Sequence, residues 1–542
     1  MAITWADILT WTTGPLESAA TDLAATSKAL VSAASEGQDA TNGIQSQGSA
    51  VTAIRTAAST NMTSLAQLAT NVNSALMAIE GAYDGVAKVM ANVQNAQAYA
   101  AENYCTIGSD GEVSYDTDPQ HKEDGFIAAE NLRMTIKQII KDADQIDTDL
   151  YHAMSDINND RATDGDKGSD NKVIGVPDHP NKNWTPSQNA AWWNSLSKTQ
   201  RQHLIDHCPD EIRHLDGLPA SARDQANRHA LKGWVDANGD KHKGALEYAR
   251  GKLKEAQDKS ASEEEIEQLK EKVADLEAIE LQTDNDFREH SGAAPTYLLD
   301  FDYDEKHHRT TAIVSTGDPD TASYVSTLVP GIGTNVRNDL DKYMDANENL
   351  KAQTAHTGVD PSDVATISYL GYVAPKNDFG HLYQAADIGY ADRAAPDLAR
   401  FEEGLRASGN ANGHSFTNTV IGHSYGSTTA GKAMTQVAKG TVDNFIMCGS
   451  PGAGAENIDQ YNVPKGHVYE SSVPEGDMVQ GSGSIIGYGS DPKKLDGIVH
   501  LSGDATDSDK YWTPESVIAP DGQDLIPQLP QHLAHAFSNH DT

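Results

Sequence analysis

Apolar positions along the chain follow two regimes. Through the first 150 residues they recur every three or four positions. Leu16, Ala19, Leu23 and Leu30 form one stripe, Val51, Ile54, Leu65, Leu68, Val72, Leu76 and Ile79 a second, and Phe126, Leu132, Ile136, Ile140 and Ile146 a third. This is the spacing of amphipathic helices, so residues 1–155 are expected to form an elongated helical bundle, with Pro15 in a first helical turn. Beyond about Ala293 short β-rich runs take over, at residues 311–315, 324–329, 364–369, 417–421, 443–448 and 467–471, with helical stretches such as 336–350 between them. Alternation of this kind predicts an α/β domain over residues 293–542, a mostly parallel sheet with helices on both faces.

Two segments separate these regimes. Residues 156–183 are rich in Asp, Asn and Gly, have little to bury, and read as a polar linker. Residues 184–292 read as a helical attachment. Trp192 and Trp193 lie side by side, Ser197 and Gln200 make a candidate capping box, and Leu246, Leu253, Ile266, Leu269, Val273 and Leu276 recur among Glu and Lys as in a coiled-coil hairpin. Exposed aromatics here would suit a lid, over residues 184–289, beside an active site. With 542 residues the chain exceeds what one hydrophobic core usually serves, so several domains are expected.

Composition narrows the choice of partners. With 79 acidic against 41 basic residues, the net charge of −38 repels phosphates and anionic membrane surfaces, which argues against nucleic acid as a partner. Cys105, Cys208 and Cys448 are too few for a disulfide framework. Without a long apolar run, or a basic and apolar leader in residues 1–9, a soluble protein with no transmembrane segment and no classical signal peptide is expected. Asp236-Ala237-Asn238-Gly239-Asp240, with Glu247, imitates a calcium loop, but Lys241 occupies the usual glycine position, and neither metal nor organic cofactor is expected.

Chemistry concentrates at Gly422-His423-Ser424-Tyr425-Gly426. This G-x-S-x-G follows an apolar run and precedes a helical stripe of Ala430, Ala433, Met434, Val437 and Ala438, which is the context of a nucleophile elbow. Ser424 is the expected nucleophile. A serine hydroxyl needs a histidine base, and the base an acid to orient it; in this context the chain order is Ser, acid, His. Asp477, after the run at 467–471, is the preferred acid, with Glu475 as alternative. The downstream histidines are His500, His532, His535 and His540, and composition does not choose among them. For the oxyanion, the Tyr425 backbone N–H is one expected donor. The Ile332 N–H, in Val329-Pro330-Gly331-Ile332-Gly333-Thr334, is the other, although a glycine turn capped by Thr334 accounts for the same residues.

At these residues the C-terminal part resembles the actinobacterial α/β-hydrolase family once known only as a domain of unknown function, DUF1023. Beyond the elbow, the resemblance rests on Val329-Pro330-Gly331, Tyr369-Leu370-Gly371-Tyr372 with Ala374-Pro375, Gly449-Ser450-Pro451-Gly452 and the Asp477 loop. It covers residues 295–542 and extends to Trp192-Trp193-Asn194-Ser195-Leu196, Leu215-Asp216-Gly217-Leu218-Pro219 and Arg223-Asp224-Gln225-Ala226-Asn227 before them. The resemblance implies a base near the end of the chain, at His540, with His535 as runner-up, since no aromatic follows His540 as in the family pattern. It also implies an N-terminal helical module like those of type VII-secreted proteins, but Gly48-Ser49-Ala50 stands where their W-x-G turn would be.

The expected function is a serine hydrolase cleaving an acyl ester, esterase- or lipase-like, through Ser424, His540 and Asp477, with a small ester or lipid-like substrate. Export by a non-classical, type VII-like route or a cytoplasmic location both fit. The alternative is a secreted interaction or effector-delivery protein whose helical half meets a secretion-system or helical partner, with the hydrolase fold secondary or inactive.

Overall fold

The computed structural model describes residues 3–42, 48–118, 122–159, 179–196, 198–286, 288, 293–376, 387–471 and 488–501. The chain divides into two compact units, Met1–Pro219 with Glu403–Gly413, and Ala220–Glu402 with His414–Thr542. This division cuts through the stretch 184–292.

The first unit is helical: α1 (Trp5–Ile8), α2 (Gly14–Asn42), α3 (Ser49–Glu102), a hairpin of β1 (Cys105–Ile107) and β2 (Val113–Tyr115), α4 (Lys122–Asn158), α5 (Pro186–Ser195), α6 (Lys198–His207) and α7 (Pro209–Ile212). The stripes read from the sequence lie within α2, α3 and α4. Val89, Val93 and Ala96 of α3 meet Leu132, Ile136 and Ile139 of α4, and Trp5 and Ile8 close the cluster. The many alanines let helix backbones approach closely while still removing apolar surface from water. Thr185 and Gln188 form a reciprocal capping box that starts α5. Ser197, the expected cap, lies outside the described residues.

Trp192 and Trp193 correct the expectation of exposed aromatics, being 0% and 3% exposed. Their rings tilt against each other, Trp184 packs on Trp192, and the Arg201 guanidinium lies over Trp193. The tryptophans are core of the first unit because a helix of ten residues with so few other large apolar groups has little else to bury.

The second unit begins with α8 (Ala220–Lys232), a hairpin of β3 (Gly233–Val235) and β4 (Lys241–Lys243), α9 (Ala245–Asp258) and α10 (Glu263–Gln282). There follow β5 (Thr296–Asp304), β6 (Arg309–Thr316), β7 (Tyr324–Val329), α11 (Val336–Thr354), β8 (Val364–Leu370), α12 (Gly389–Asn412, counted with this unit through Glu402), β9 (Thr417–His423), α13 (Tyr425–Met434), β10 (Asn444–Cys448), β11 (Val468–Ser471) and β12 (Val499–His500). Eight of these strands form one sheet in the order β12-β11-β10-β9-β7-β8-β6-β5. From β8 through β12 neighbours are parallel, while β6 runs antiparallel to both β5 and β8. The six runs read as strands appear as β6 to β11; β5 and the two-residue β12 were not among them.

Leu246 of α9 and Val273, Leu276 and Ile279 of α10 join Leu340 and Met344 of α11 against Leu298, Phe301 and Val314 of the sheet. The hairpin of α9 and α10 is thus a packed layer on the sheet. The motif Arg223 to Asn227 acquires a structural role at the β5 bulge: Leu298 N–H donates to Asp224 Oδ1 at 2.7 Å, and Asn227 Nδ2 donates to the Leu298 and Leu299 carbonyls at 3.2 and 2.9 Å. A bulge leaves ladder groups without strand partners, and these side chains supply them.

The calcium-loop imitation is the turn between β3 and β4. Asp236 Oδ1 accepts the Asn238 and Asp240 N–H groups, both at 2.9 Å, and Oδ2 faces His242 Nε2 at 3.1 Å, so the carboxylate is engaged in closing the turn. Among the described residues no group of three or more His, Cys, Asp or Glu could hold a metal ion, and no helix is long and apolar enough to cross a membrane.

Candidate active site

Ser424 sits between the end of β9 and the start of α13 with φ +53° and ψ −131°. Positive φ is costly for a residue with a side chain, roughly 1–3 kcal/mol, and persists only where surroundings impose it. Here they do. The Ser424 N–H donates to the Cys448 carbonyl of β10 at 2.9 Å, and the Ser424 carbonyl accepts from the Ser427 N–H at 3.0 Å and the Ser427 hydroxyl at 2.6 Å. The flanking glycines are sterically required: a Cβ on Gly422 would overlap Ser427 Cα, and one on Gly426 would overlap the Val329 and Pro330 carbonyl oxygens.

The turn after β7 lies directly against this serine. A Cβ added to Gly331 would stand 2.8 Å from Ser424 Cβ and 3.1 Å from its Oγ. The Thr334 hydroxyl donates to the Gly331 carbonyl at 2.9 Å, the Gly333 N–H to the Pro375 carbonyl at 2.7 Å, and the Tyr372 hydroxyl to the Pro330 carbonyl at 2.5 Å. The Ile332 N–H has no acceptor among the described residues, nor does the Tyr425 N–H in the first turn of α13. Helix dipole and unmatched donors make that terminus favourable to negative charge.

Other segments of the resemblance converge on the elbow. The Ser427 hydroxyl approaches Ser450 Oγ at 2.6 Å, and Thr428 Oγ1 donates to the Gly452 carbonyl at 2.8 Å, tying the loop after β10 to α13. The Tyr425 hydroxyl donates to the Asp387 carbonyl at 2.6 Å and accepts the Ala391 N–H at 3.2 Å; burial pushes its pKa well up. Its ring meets Tyr488 edge-on at 5.7 Å, within an apolar cluster that includes Ala391, Ile332, Ile388 and Tyr390. Sequence reasoning missed the parts played by Tyr372, Ser427 and the Cys448 carbonyl. Tyr372 lay within a quoted motif and Ser427 and Cys448 directly beside two others, but motif membership carries no geometry.

Ser424, Tyr425 and Ile332 are thereby brought together, whereas Asp477, Glu475, His532, His535 and His540 lie outside the described residues. His500 is described, and geometry separates it from Ser424. It pairs with Glu470, Nδ1 to Oε1 at 2.6 Å, and β12 is three strands from β9. At about 4.8 Å per strand the backbone separation is about 14 Å, beyond hydrogen-bond reach of the two side chains.

A serine at a strained strand-to-helix elbow, on a mostly parallel eight-stranded sheet, beside two backbone N–H groups without acceptors among the described residues, defines the α/β-hydrolase class. Residues 305–485 match the family described as Alpha/beta hydrolase. Two proteins of Mycobacterium tuberculosis described as uncharacterized, MT2140 and Rv2079, are each 28% identical over 292 residues, 51% of this chain and 41% of theirs. The match thus spans about two-fifths of the length of these curated relatives. Among solved structures, a highly thermostable carboxyl esterase from Bacillus coagulans, in complex with glycerol, matches 29% of this chain and 45% of its own at 16% identity, with a TM-score of 0.19. That likeness is too slight to carry a conclusion.

Proposed function

We propose that the second unit is a serine hydrolase that cleaves an acyl ester through an acyl-enzyme. The observation that carries this reading is Ser424 at positive φ, packed on Gly331, beside the Tyr425 and Ile332 N–H groups without acceptors among the described residues. Ser424 Oγ attacks the ester carbonyl while His540 takes its proton. The carbonyl oxygen becomes an oxyanion held by the two N–H groups, and His540 returns the proton to the departing alcohol. Water, deprotonated by the same histidine, then releases the acid. Asp477 fixes the imidazole tautomer and stabilises its charged form.

Chain connectivity supports Asp477 as the acid. Strands β9, β10 and β11 are parallel, with His423 beside Cys448 and Cys448 beside Ser471, so the chain leaves β11 at the edge that carries Ser424. Two strand spacings amount to about 10 Å, and the residues from Ser471 to Asp477 span up to about 20 Å when extended. His535 is the runner-up base. The cluster of Ile332, Ile388, Tyr390 and Tyr488 favours an apolar acyl group, consistent with an ester or lipid-like substrate.

The test is covalent labelling by a fluorophosphonate probe, read by intact mass, on the full chain and on Ser424→Ala and His540→Ala. Labelling lost in both folded variants, together with turnover of p-nitrophenyl esters, is the expected result. An unaltered chain that takes up no probe, or a Ser424→Ala chain that still does, would refute it.

A further inference from the structure

We propose that Tyr372 is a positioning residue for the oxyanion hole, holding the turn after β7 so that the Ile332 N–H faces the reacting oxygen. The inference rests on the serine-hydrolase reading above and adds a part to it.

The argument runs through three consecutive peptide units. Each is planar and trans, so fixing its carbonyl or its N–H fixes the direction of the other. The Pro330–Gly331 unit is held through its carbonyl by the Tyr372 hydroxyl. The Ile332–Gly333 unit is held through its N–H by the Pro375 carbonyl. Both anchors come from the short segment following β8. The unit between them, Gly331–Ile332, is held at its carbonyl by Thr334 Oγ1, which leaves the Ile332 N–H directed the opposite way. Each of the three peptide units is thus held at one of its two polar ends.

Tyr372 is suited to the task by burial and connection. It lies buried at the end of the sheet, with Thr429 of α13 close to its phenol. Its hydroxyl therefore holds the oxyanion turn close to the helix whose first residue, Tyr425, supplies the other donor. Gly426 makes the same junction sterically, by packing against the Pro330 carbonyl. A buried phenol used only for filling space could as well be phenylalanine; the hydroxyl is explained by what it holds.

The experiment compares full-length unaltered chain, Tyr372→Phe, Thr334→Val and Thr334→Ser. The readouts are the second-order rate of fluorophosphonate labelling, kcat and KM with a p-nitrophenyl ester, and thermal melting. Tyr461→Phe serves as the stability control, because it removes another buried phenol bond, to the Ala453 carbonyl at 2.5 Å. A loosened donor should lower kcat about 10- to 100-fold, less than the loss of a whole oxyanion contact, with KM changed less than about threefold. Tyr372→Phe and Thr334→Val are expected to show this split, Thr334→Ser to restore most of the rate, and Tyr461→Phe to lower the melting temperature without it. Equal kcat and labelling rate in folded Tyr372→Phe and the unaltered chain would overturn the positioning role alone. Failure of the unaltered chain to label would overturn the hydrolase reading, and this inference with it.

Discussion

Gly331→Ala tests whether the turn after β7 borders the reacting centre. The added methyl would stand 2.8 Å from Ser424 Cβ. Carbon atoms pack best at about 3.5–4.0 Å, so the turn or the serine must recoil by about 1 Å. The neighbouring backbone limits the serine, since Ser424 is held at both its N–H and its carbonyl. The turn therefore moves, and the Ile332 N–H moves with it. Misplacement by about 1 Å in a catalytic arrangement costs about 100-fold in rate, and overpacking costs about 1–3 kcal/mol of stability. Gly331 does not occupy the left-handed region, so the substitution adds bulk without adding backbone strain. The assay is the fluorophosphonate labelling rate with kcat/KM for a p-nitrophenyl ester, each on protein shown to be folded by a melting curve. Gly251→Ala in α9, where an added Cβ meets nothing within 4 Å, is the control and should leave the rate unchanged. A folded Gly331→Ala chain labelled within twofold of the unaltered rate would refute the placement of the turn at the reacting centre.

The remaining predictions concern stability and reactivity. Burial, reinforced by the nearby Asp84 charge, pushes Glu80 up to about 8 from an ordinary 4.5. A carboxyl that keeps its proton longer when folded contributes stability that is full below pH 4.5 and is lost as pH rises toward about 8. By pH 7 the loss is about 3 kcal/mol, at about 1.4 kcal/mol per pH unit. Glu80→Gln should therefore flatten the decline in melting temperature of the first unit between pH 5 and 8; an unchanged decline would count against it. Asp320 accepts the Ala220 and Ser221 N–H groups at 2.7 and 2.9 Å at the start of α8, so Asp320→Ala should lower unfolding free energy by about 1–2 kcal/mol in denaturant titration. Cys448, whose thiol burial pushes up to about 11, is about one-thousandth thiolate at pH 8 and should resist iodoacetamide in the folded protein. Rapid alkylation, read by peptide mass, would count against a raised thiol pKa at this half-buried position.

Legibility in the sequence differed between parts for physical reasons. Strands β6 to β11 and helices α2 to α4 declare themselves because side-chain period follows backbone geometry, two along a strand and 3.6 around a helix. Ser424 was legible because an elbow imposes glycines at fixed offsets, and the overlaps at Gly422 and Gly426 supply the reason. The two-residue β12 has no period to detect. Trp192 and Trp193 were misread because aromatic residues look alike in sequence whether they face solvent or core.

What the sequence determined by itself is therefore local: the elements, the elbow, and the strand-to-turn context of Val329 to Thr334. Only tertiary structure decided what lies beside what. It set Gly331 against Ser424, joined Tyr372 and Pro375 to the peptides on either side of Gly331–Ile332, and put His500 about three strand spacings from the nucleophile. Such pairings depend on strand order and register, which arise from the simultaneous packing of distant segments and leave no fixed spacing along the chain.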